Sequence, residues 1–198
     1  MNLNTDGTPR DHRMLAVGLA ALAAGLLIFA AVSRAWVARP APVDIGFGPM
    51  GCTGCALIAG QEGGNMSNGA FIAAVRELDP DAARTTSSAF APMGWATFGL
   101  CLVSALGLLA AAFLAYTKQR RALPIAPTTV ALLGLMLSLV TACVFVATKP
   151  GGAGFVGISY GFWAYGVGAV LGIATAQMLA KLTKPQDPDL VEAMAQLA

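Results

Sequence analysis

Four long apolar runs without a charged side chain constrain this sequence more than any other feature. They cover residues 14–33, 92–117, 125–147 and 156–180, and none contains Asp, Glu, Lys, Arg or His. A helix needs about 20 apolar residues to cross a bilayer, and it satisfies its own backbone hydrogen bonds in lipid. Only 11% of the residues are charged, against about a quarter in a soluble domain. We therefore predict an all-α membrane protein, built as a four-transmembrane-helix bundle.

The basic residues predict the orientation of this bundle. Seven of the 12 Lys and Arg residues precede the first run, separate the second from the third, or follow the fourth: Arg10, Arg13, Lys118, Arg120, Arg121, Lys181 and Lys184. Positive charge collects on the cytoplasmic side of a membrane, so both termini, including the tail 181–198, are predicted to be cytoplasmic in a cell or inner membrane. The first run exceeds the roughly 7–15 residues of a signal-peptide core, and we expect it to remain as an uncleaved span.

The segment 34–91 is then a large extracytoplasmic loop, too long for a simple connection. Pro and Gly separate its apolar stretches 36–37, 43–47 and 56–58, a pattern typical of short strands. We expect this loop to fold as a small β-sheet with a short helix, capping the bundle.

Helical signals follow these strands. Four apolar residues recur at helical spacing after Asn68, which is a good cap residue: Phe71, Ala74, Val75 and Leu78. We expect this amphipathic helix to lie on the membrane surface or against the strands. Asp79 and Pro80 predict the start of another helix, which continues into the second span with a kink at Pro92. In the tail, Asp187-Pro188 predicts a short helix that would offer a surface to a partner or to lipid.

Small residues at four-residue spacing predict close packing of the fourth span. The residues are Gly157, Gly161, Gly168 and Gly172. Lipid supplies no hydrophobic drive for helix association, so membrane helices associate where small residues let their backbones approach. We interpret the pattern as packing within the bundle, with contacts to a second copy or another subunit as the alternative.

Cys52 and Cys55 form the sharpest local motif of the chain. On the extracytoplasmic side, a Cys-x-x-Cys pair is most simply a disulfide, either structural or redox-active. A zinc site would need four ligands, and the single histidine, His12, precedes the first span, so we predict no metal site. We interpret Cys101 and Cys143, inside the second and third spans, as small apolar residues of the bundle.

Aromatic residues collect near the predicted outer face of the membrane. Amphipathic rings prefer the depth of the lipid headgroups. We therefore interpret five residues as interface aromatics: Trp36, Trp95, Tyr160, Trp163 and Tyr165. A cleft for a lipid, a quinone or a pigment is the alternative interpretation.

The topology and several motifs resemble the claudin/PMP22-like tetraspan group. Trp36 follows the first span, and Gly-Pro-Met-Gly-Cys at 48–52 stands where that group has Gly-Leu-Trp and its first Cys. The stretch before the group's second span is similar to Leu-Asp-Pro-Asp-Ala-Ala-Arg at 78–84. The start of the group's fourth span is similar to Tyr-Gly-Phe-Trp-Ala-Tyr-Gly at 160–166. The resemblance implies a left-handed four-helix bundle capped by a small antiparallel sheet. It further implies an adhesive, scaffolding or accessory role without catalysis.

An enzyme is the competing functional class. Membrane thiol oxidoreductases of the DsbB and VKOR type place a Cys-x-x-Cys near the outer membrane face and pass electrons to quinone, which would make Cys52 and Cys55 catalytic. Such enzymes also use a second, accessible cysteine pair, which Cys101 and Cys143 do not offer from inside the spans. Spans without ionisable residues argue against an ion or proton pathway.

These observations together predict a non-catalytic tetraspan integral membrane protein, which serves as a structural, adhesive or accessory subunit of a membrane assembly. The expected partners are membrane lipids and either other membrane subunits or a second copy. No basic run follows a phosphate backbone, so nucleic acid is excluded. We predict no cofactor, and quinone enters only under the enzymatic alternative.

Overall fold

The computed structural model describes residues 12–39, 44–58, 64–81, 86–117, 125–150 and 156–183. In these ranges six helices have stated bounds: α1 (His12–Val32), α2 (Cys55–Ile58), α3 (Asn68–Leu78), α4 (Phe90–Tyr116), α5 (Pro127–Ala147) and α6 (Tyr160–Thr183). Pro80 and Asp81 are also helical, as the predicted start of a helix after Asp79 requires. Four of the six helices, α1, α4, α5 and α6, are long and apolar enough to cross a membrane. The prediction of four such helices is confirmed, and it indicates an integral membrane protein.

The four long helices pack around a core of small side chains. Helix α1 lies against α4 and α6, α4 lies against α5, and α5 meets α6. The buried face of α1 is mostly alanine: Ala16, Ala20, Ala23, Ala24, Leu27, Ala30 and Ala31. Larger apolar residues such as Leu22, Leu106 and Val170 face outward. This arrangement suits a lipid environment, because small residues let the backbones approach while hydrocarbon solvates the exposed side chains.

A small antiparallel sheet lies where α1 and α5 end and α4 and α6 begin. Its strands are β1 (Val37–Arg39), β2 (Ile45–Gly48), β3 (Gly51–Thr53), β4 (Asn65–Met66) and β5 (Gly157–Ile158). They lie in the order β4-β3-β2-β1-β5, and every neighbouring pair is antiparallel. Four strands come from the segment between α1 and α4, whereas β5 comes from the segment between α5 and α6. The predicted small sheet is confirmed, and we call the five strands with α2 and α3 the cap.

Strand β5 corrects the predicted start of the fourth span. The prediction begins that span at residue 156, but Gly157 pairs with Ala38 of β1 and the helix begins at Tyr160. Because the backbone of β5 pairs with β1 in the sheet, residues 157 and 158 are not part of the helix. The first turn of α6 is then tied to the sheet, because the backbone N–H of Gly161 donates to the carbonyl oxygen of Ala35 at 3.0 Å.

Helix α3 is present as predicted, but its cap is Ser67 rather than Asn68. The hydroxyl oxygen of Ser67 accepts a hydrogen bond from the backbone N–H of Ala70 at 3.1 Å. Asn68 is fully buried instead, and its Nδ2 donates to the carbonyl oxygen of Gly48 at 2.9 Å. Two placements were expected for this helix, on the membrane surface or against the strands. Helix α3 contacts β3 and α4, so it packs against the strands.

The helix predicted to continue from Asp79 and Pro80 into the second span is interrupted. Asp79 behaves as a cap, because its Oδ1 accepts from the backbone N–H of Asp81 at 3.0 Å. Residues 86–89, however, form a bend and a turn before α4 begins at Phe90. Pro92 falls in the first turn of α4, where backbone N–H groups make no hydrogen bond within the helix. The absence of an N–H at Pro92 therefore breaks no helical hydrogen bond, and no kink is required. The tail helix predicted from Asp187-Pro188 lies outside the described residues.

Aromatic rings join the cap to the bundle. Phe47 of β2 contacts Phe71 of α3 and Phe90 of α4, with ring centroids 5.1 and 5.8 Å apart. Phe90 stacks on Phe145 of α5 at 4.6 Å, and Phe145 meets Trp36 edge-on at 6.0 Å. All of these rings are at most 5% exposed. The cap and the bundle therefore share one hydrophobic core.

Candidate functional site

A disulfide between Cys52 and Cys55 links the end of β3 to the start of α2. The Cα atoms of the two cysteines lie 6.1 Å apart, and the predicted bond is confirmed. Gly54 between them has a φ of 71°, a left-handed conformation that glycine adopts without steric cost. A Cβ at Gly54 would also collide with the carbonyl oxygen of Asp44. The chain turns sharply here and enters α2, so the strand predicted at 56–58 is wrong.

Both bonded cysteines are completely buried. Cys52 and Cys55 are 0% exposed and belong to the same core as Phe47 and Phe71. The guanidinium of Arg34 donates to the carbonyl oxygen of Cys52 at 3.5 Å, which covers the corner further. Thiol–disulfide exchange requires a thiolate to attack one of the two sulfur atoms. Burial keeps a protein thiol away from them while the cap is folded, so the geometry fits a structural cross-link.

Trp36 anchors the start of β1 in the bundle. Its ring lies 4.9 Å from that of Tyr165 and 5.7 Å from that of Phe162. Its Nε1 donates to the carbonyl oxygen of Ala30 at 2.7 Å. Because Trp36 and Tyr165 are buried inside the protein, their prediction as interface aromatics is wrong. The other three predicted aromatics are at least half exposed: Trp95, Tyr160 and Trp163.

Hydroxyl groups form a hydrogen-bonded chain across three of the long helices. Ser138 Oγ of α5 lies 2.9 Å from the hydroxyl of Tyr165 on α6. Thr97 Oγ1 of α4 donates to Thr141 Oγ1 of α5 at 2.9 Å, and Thr141 donates to the carbonyl oxygen of Ser138 at 3.1 Å. Interhelical hydrogen bonds of this kind hold membrane helices together, since unpaired hydroxyls are costly in hydrocarbon. The sequence prediction missed this chain, although isolated hydroxyl residues in apolar runs are a signal for it.

Three of the four predicted packing glycines lie at close contacts. A Cβ on Gly161 would come within 2.6–2.9 Å of the link between α1 and β1. On Gly168 it would lie 3.0 Å from α1, and on Gly172 it would lie 3.0 Å from α5. Gly157 lies in the exposed strand β5 instead of a helix, so its predicted role in helix packing is wrong.

Cys101 and Cys143 form no second bonded pair. Cys101 is buried in α4, as expected of a small apolar core residue, whereas Cys143 lies on the exposed face of α5. A thiol oxidoreductase of the DsbB or VKOR type relays electrons through a second disulfide. Cys101 and Cys143 are not bonded to each other and do not provide that second disulfide.

The described site is thus a buried cross-link, an aromatic anchor and a chain of hydroxyls, and all three hold elements together. Each acts on a different junction: the disulfide within the cap, Trp36 between the cap and α1, and the hydroxyl chain among α4, α5 and α6. Comparison with known proteins adds no assignment, because no family model matches the chain and no curated protein matches it.

Proposed function

We propose that this chain is a non-catalytic tetraspan membrane protein, which serves as a structural, adhesive or accessory subunit of a membrane assembly. The complete burial of the Cys52–Cys55 bond carries this proposal. An oxidoreductase of the DsbB or VKOR type must open its Cys-x-x-Cys pair to a protein thiol and to quinone. A cross-link inside a shared core serves stability instead.

The architecture supports a claudin/PMP22-like organisation. That group combines four spans with a large first loop containing short strands and a small second loop. The sheet of this chain takes four strands from the first inter-helix segment and a fifth from the last. Under this proposal the cap is extracytoplasmic and both termini are cytoplasmic, in agreement with the distribution of the basic residues.

A rigid cap suits a binding role. The rings of Phe47, Phe90 and Phe145 bury the cap against two different helices, so the orientation of the sheet follows that of the bundle. A pre-organised surface loses less conformational entropy when a partner binds. The partner is then another membrane subunit or a second copy of the chain.

A quinone assay tests the absence of catalysis. The full chain in mild detergent is mixed with a reduced dithiol protein and a soluble quinone, and reduction of the quinone is followed by absorbance. We expect no turnover above the rate with the Cys52→Ala/Cys55→Ala variant. Turnover by the wild-type chain that disappears in this variant would establish the enzymatic alternative.

Native mass spectrometry tests the subunit role. The tagged chain is purified from its own membrane in mild detergent, and the mass of the intact species is compared with the 20.1 kDa of one chain. We expect a larger species with a fixed stoichiometry of a second protein or copy. A single chain carrying only lipid, in several mild detergents, would contradict the proposal.

A further inference from the structure

The exposed side chains of α6 form one line along the helix. Within residues 160–182, whose side chains the structure describes, the exposed ones are Tyr160, Trp163, Val167, Val170, Ala174, Gln177 and Lys181. Their spacing alternates between three and four residues, which is the spacing of positions a and d in a coiled coil. A seven-residue repeat keeps such a line facing one partner helix along its whole length. We call these seven residues the α6 seam.

The seam points away from the other long helices and is as long as a bilayer is thick. The opposite face of α6 packs against α1 at Gly168 and against α5 at Gly172. From Tyr160 to Lys181 the helix rises about 31 Å, against about 30 Å for the hydrocarbon core of a bilayer. The seam is therefore a surface that α6 offers to its neighbours in the membrane.

A hole in this surface has the geometry that receives a side chain from a partner helix. Its volume is about 410 Å³, and its lining is Trp163, Gly166, Val167, Val170 and Leu171. The first four stand at i, i+3, i+4 and i+7, so they surround one point on the helix surface, as the four residues of a coiled-coil hole do. A Cβ at Gly166 would meet no atom within 4 Å, so the hole is open.

Val167 is the side chain that matches this hole. With Val167 at position a, the residues around the hole are the preceding d and g residues, Val167 itself and the following d residue. In a parallel pair of helices, an a side chain enters this same set of four positions on its partner. Two copies of one chain cross a membrane in the same orientation, so their α6 helices run parallel and each seam residue meets its own counterpart around a two-fold axis.

Gln177 gives the seam a polar group that lipid cannot satisfy. Its carboxamide is exposed and forms no hydrogen bond with the residues that the structure describes. The span ends at Leu182, so Gln177 lies about 7.5 Å inside that end. Hydrocarbon offers neither a donor nor an acceptor. A second Gln177 at the same depth offers both, because a carboxamide has an N–H donor and a carbonyl acceptor.

We propose that the α6 seam binds the α6 seam of a second copy of this chain in a parallel dimer. Val167 of each copy fills the hole of the other, and the two Gln177 carboxamides form a hydrogen bond. The stem of Lys181 reaches the headgroups, so the two ammonium groups diverge at the end of the seam. The inference rests on the proposed subunit role and names a second copy as the partner.

Oxidative cross-linking of the full chain in its own membrane tests the contact. In a Cys101→Ala/Cys143→Ala background the remaining cysteines are bonded to each other. Val170→Cys and Ala174→Cys should then give a disulfide-linked dimer with copper phenanthroline. Leu137→Cys on α5 is the matched control, because Leu137 is 56% exposed and Val170 is 69% exposed, and it should stay monomeric. Equal cross-linking at all three positions, or none at the two seam positions, would overturn the dimer.

Energy transfer between labelled copies in liposomes tests the hole. Gly166→Leu fills the hole of each copy and should abolish transfer, while the detergent-solubilised variant keeps the wild-type melting temperature. Gly18→Leu on α1 also meets no atom within 4 Å at its Cβ. It is the matched control and should associate like the wild type. Wild-type transfer in Gly166→Leu would overturn the insertion of Val167.

The same measurement tests the hydrogen bond. Gln177→Leu should raise the dissociation constant of the dimer about threefold to tenfold, as the loss of one hydrogen bond between membrane helices implies. Gln177→Asn keeps a carboxamide and should lose less affinity than Gln177→Leu. An unchanged or lower dissociation constant for Gln177→Leu would overturn the polar contact.

The outcomes separate this inference from the subunit role on which it rests. A stoichiometric complex with a different protein, together with no cross-linking at the seam, would overturn the dimer and leave the subunit role standing. A single chain in native mass spectrometry, together with no cross-linking at the seam, would contradict both.

Discussion

The indole Nε1 of Trp36 donates a hydrogen bond to the carbonyl oxygen of Ala30 at 2.7 Å. Ala30 lies in the last turn of α1, where carbonyl groups lack the usual partner four residues on, and its carbonyl also accepts a longer bond from the backbone N–H of Ser33 at 3.3 Å. Trp36 belongs to the chain that enters β1, so a residue at the edge of the cap completes the end of a bundle helix. This bond and the ring contacts of Trp36 couple the stability of the cap to that of the bundle.

Replacing Trp36 should therefore destabilise the whole protein. Trp36→Ala removes a fully buried ring and leaves the Ala30 carbonyl without the indole N–H, so we expect a loss of about 3–5 kcal/mol. Trp95→Ala, at a half-exposed position of α4, should cost less than about 1 kcal/mol. The temperature at which each detergent-solubilised variant loses its monodisperse size-exclusion peak measures the difference. Equal losses for the two variants would contradict the anchoring role.

Gly161→Ala should lower the melting temperature, although alanine favours a helix over glycine by about 1 kcal/mol. The new Cβ would lie 2.6 Å from Ser33 Oγ and 2.9 Å from the carbonyl oxygen of Ala35. Gly166→Ala in the same helix meets no atom within 4 Å, so its propensity gain should leave stability unchanged or raised. A Gly161→Ala protein that melts at or above the wild-type temperature would show that α6 and the α1–β1 link are less closely packed.

The contact between Ser138 and Tyr165 should appear as a coupling energy. In a double-mutant cycle of Ser138→Ala and Tyr165→Phe, we expect about 0.6 kcal/mol and at most about 1.7 kcal/mol, as for other membrane-buried hydrogen bonds. Ser104→Ala is a control partner for Tyr165→Phe, because Ser104 donates within α4 to Leu100, and the two effects should add. Unfolding in increasing dodecyl sulfate gives the free energies. A coupling energy no larger than that of the control pair would contradict a stabilising hydrogen bond between Ser138 and Tyr165.

Loss of the disulfide should loosen the cap and spare the bundle. The ring closed by Cys52 and Cys55 is short, so it should contribute less than the roughly 3 kcal/mol expected for a 15-residue loop. In the Cys52→Ala/Cys55→Ala variant, amide exchange should rise in β3 and α2 while α1 and α4 keep their protection. Equally faster exchange in all four long helices would mean that the cross-link supports the whole fold.

Thiol labelling in intact cells tests the predicted orientation of the chain in the membrane. In a Cys101→Ala/Cys143→Ala background the disulfide is inert, so a single introduced cysteine reports its own accessibility. Gly64→Cys and Gly152→Cys should react with a membrane-impermeant maleimide, and Gln119→Cys should react only after lysis. Reaction of Gln119→Cys before lysis would reverse the assigned sides of the membrane.

Local sequence was sufficient for the four long helices and for the disulfide. Uncharged runs of about 20 apolar residues have one stable arrangement in lipid, since a helix satisfies every backbone group within the run itself. Cys52 and Cys55 are close neighbours in the chain, so a single turn at Gly54 brings them together. The helical spacing that includes Phe71 and Ala74 likewise predicted α3, and only its cap was misplaced by one residue.

Tertiary structure alone decided which of these residues are buried and which strands pair. Trp36 and Trp163 were both predicted as interface aromatics, yet Trp36 is enclosed by helices α5 and α6 and Trp163 faces outward. Gly157 continues the four-residue spacing of Gly161, but its backbone pairs with Ala38, far away in the sequence. Burial and strand pairing are set by partners distant along the chain, and a local pattern carries no information about those partners. The uncharged spans follow from the sequence itself, while the cap and its anchor exist only where the distant segments meet.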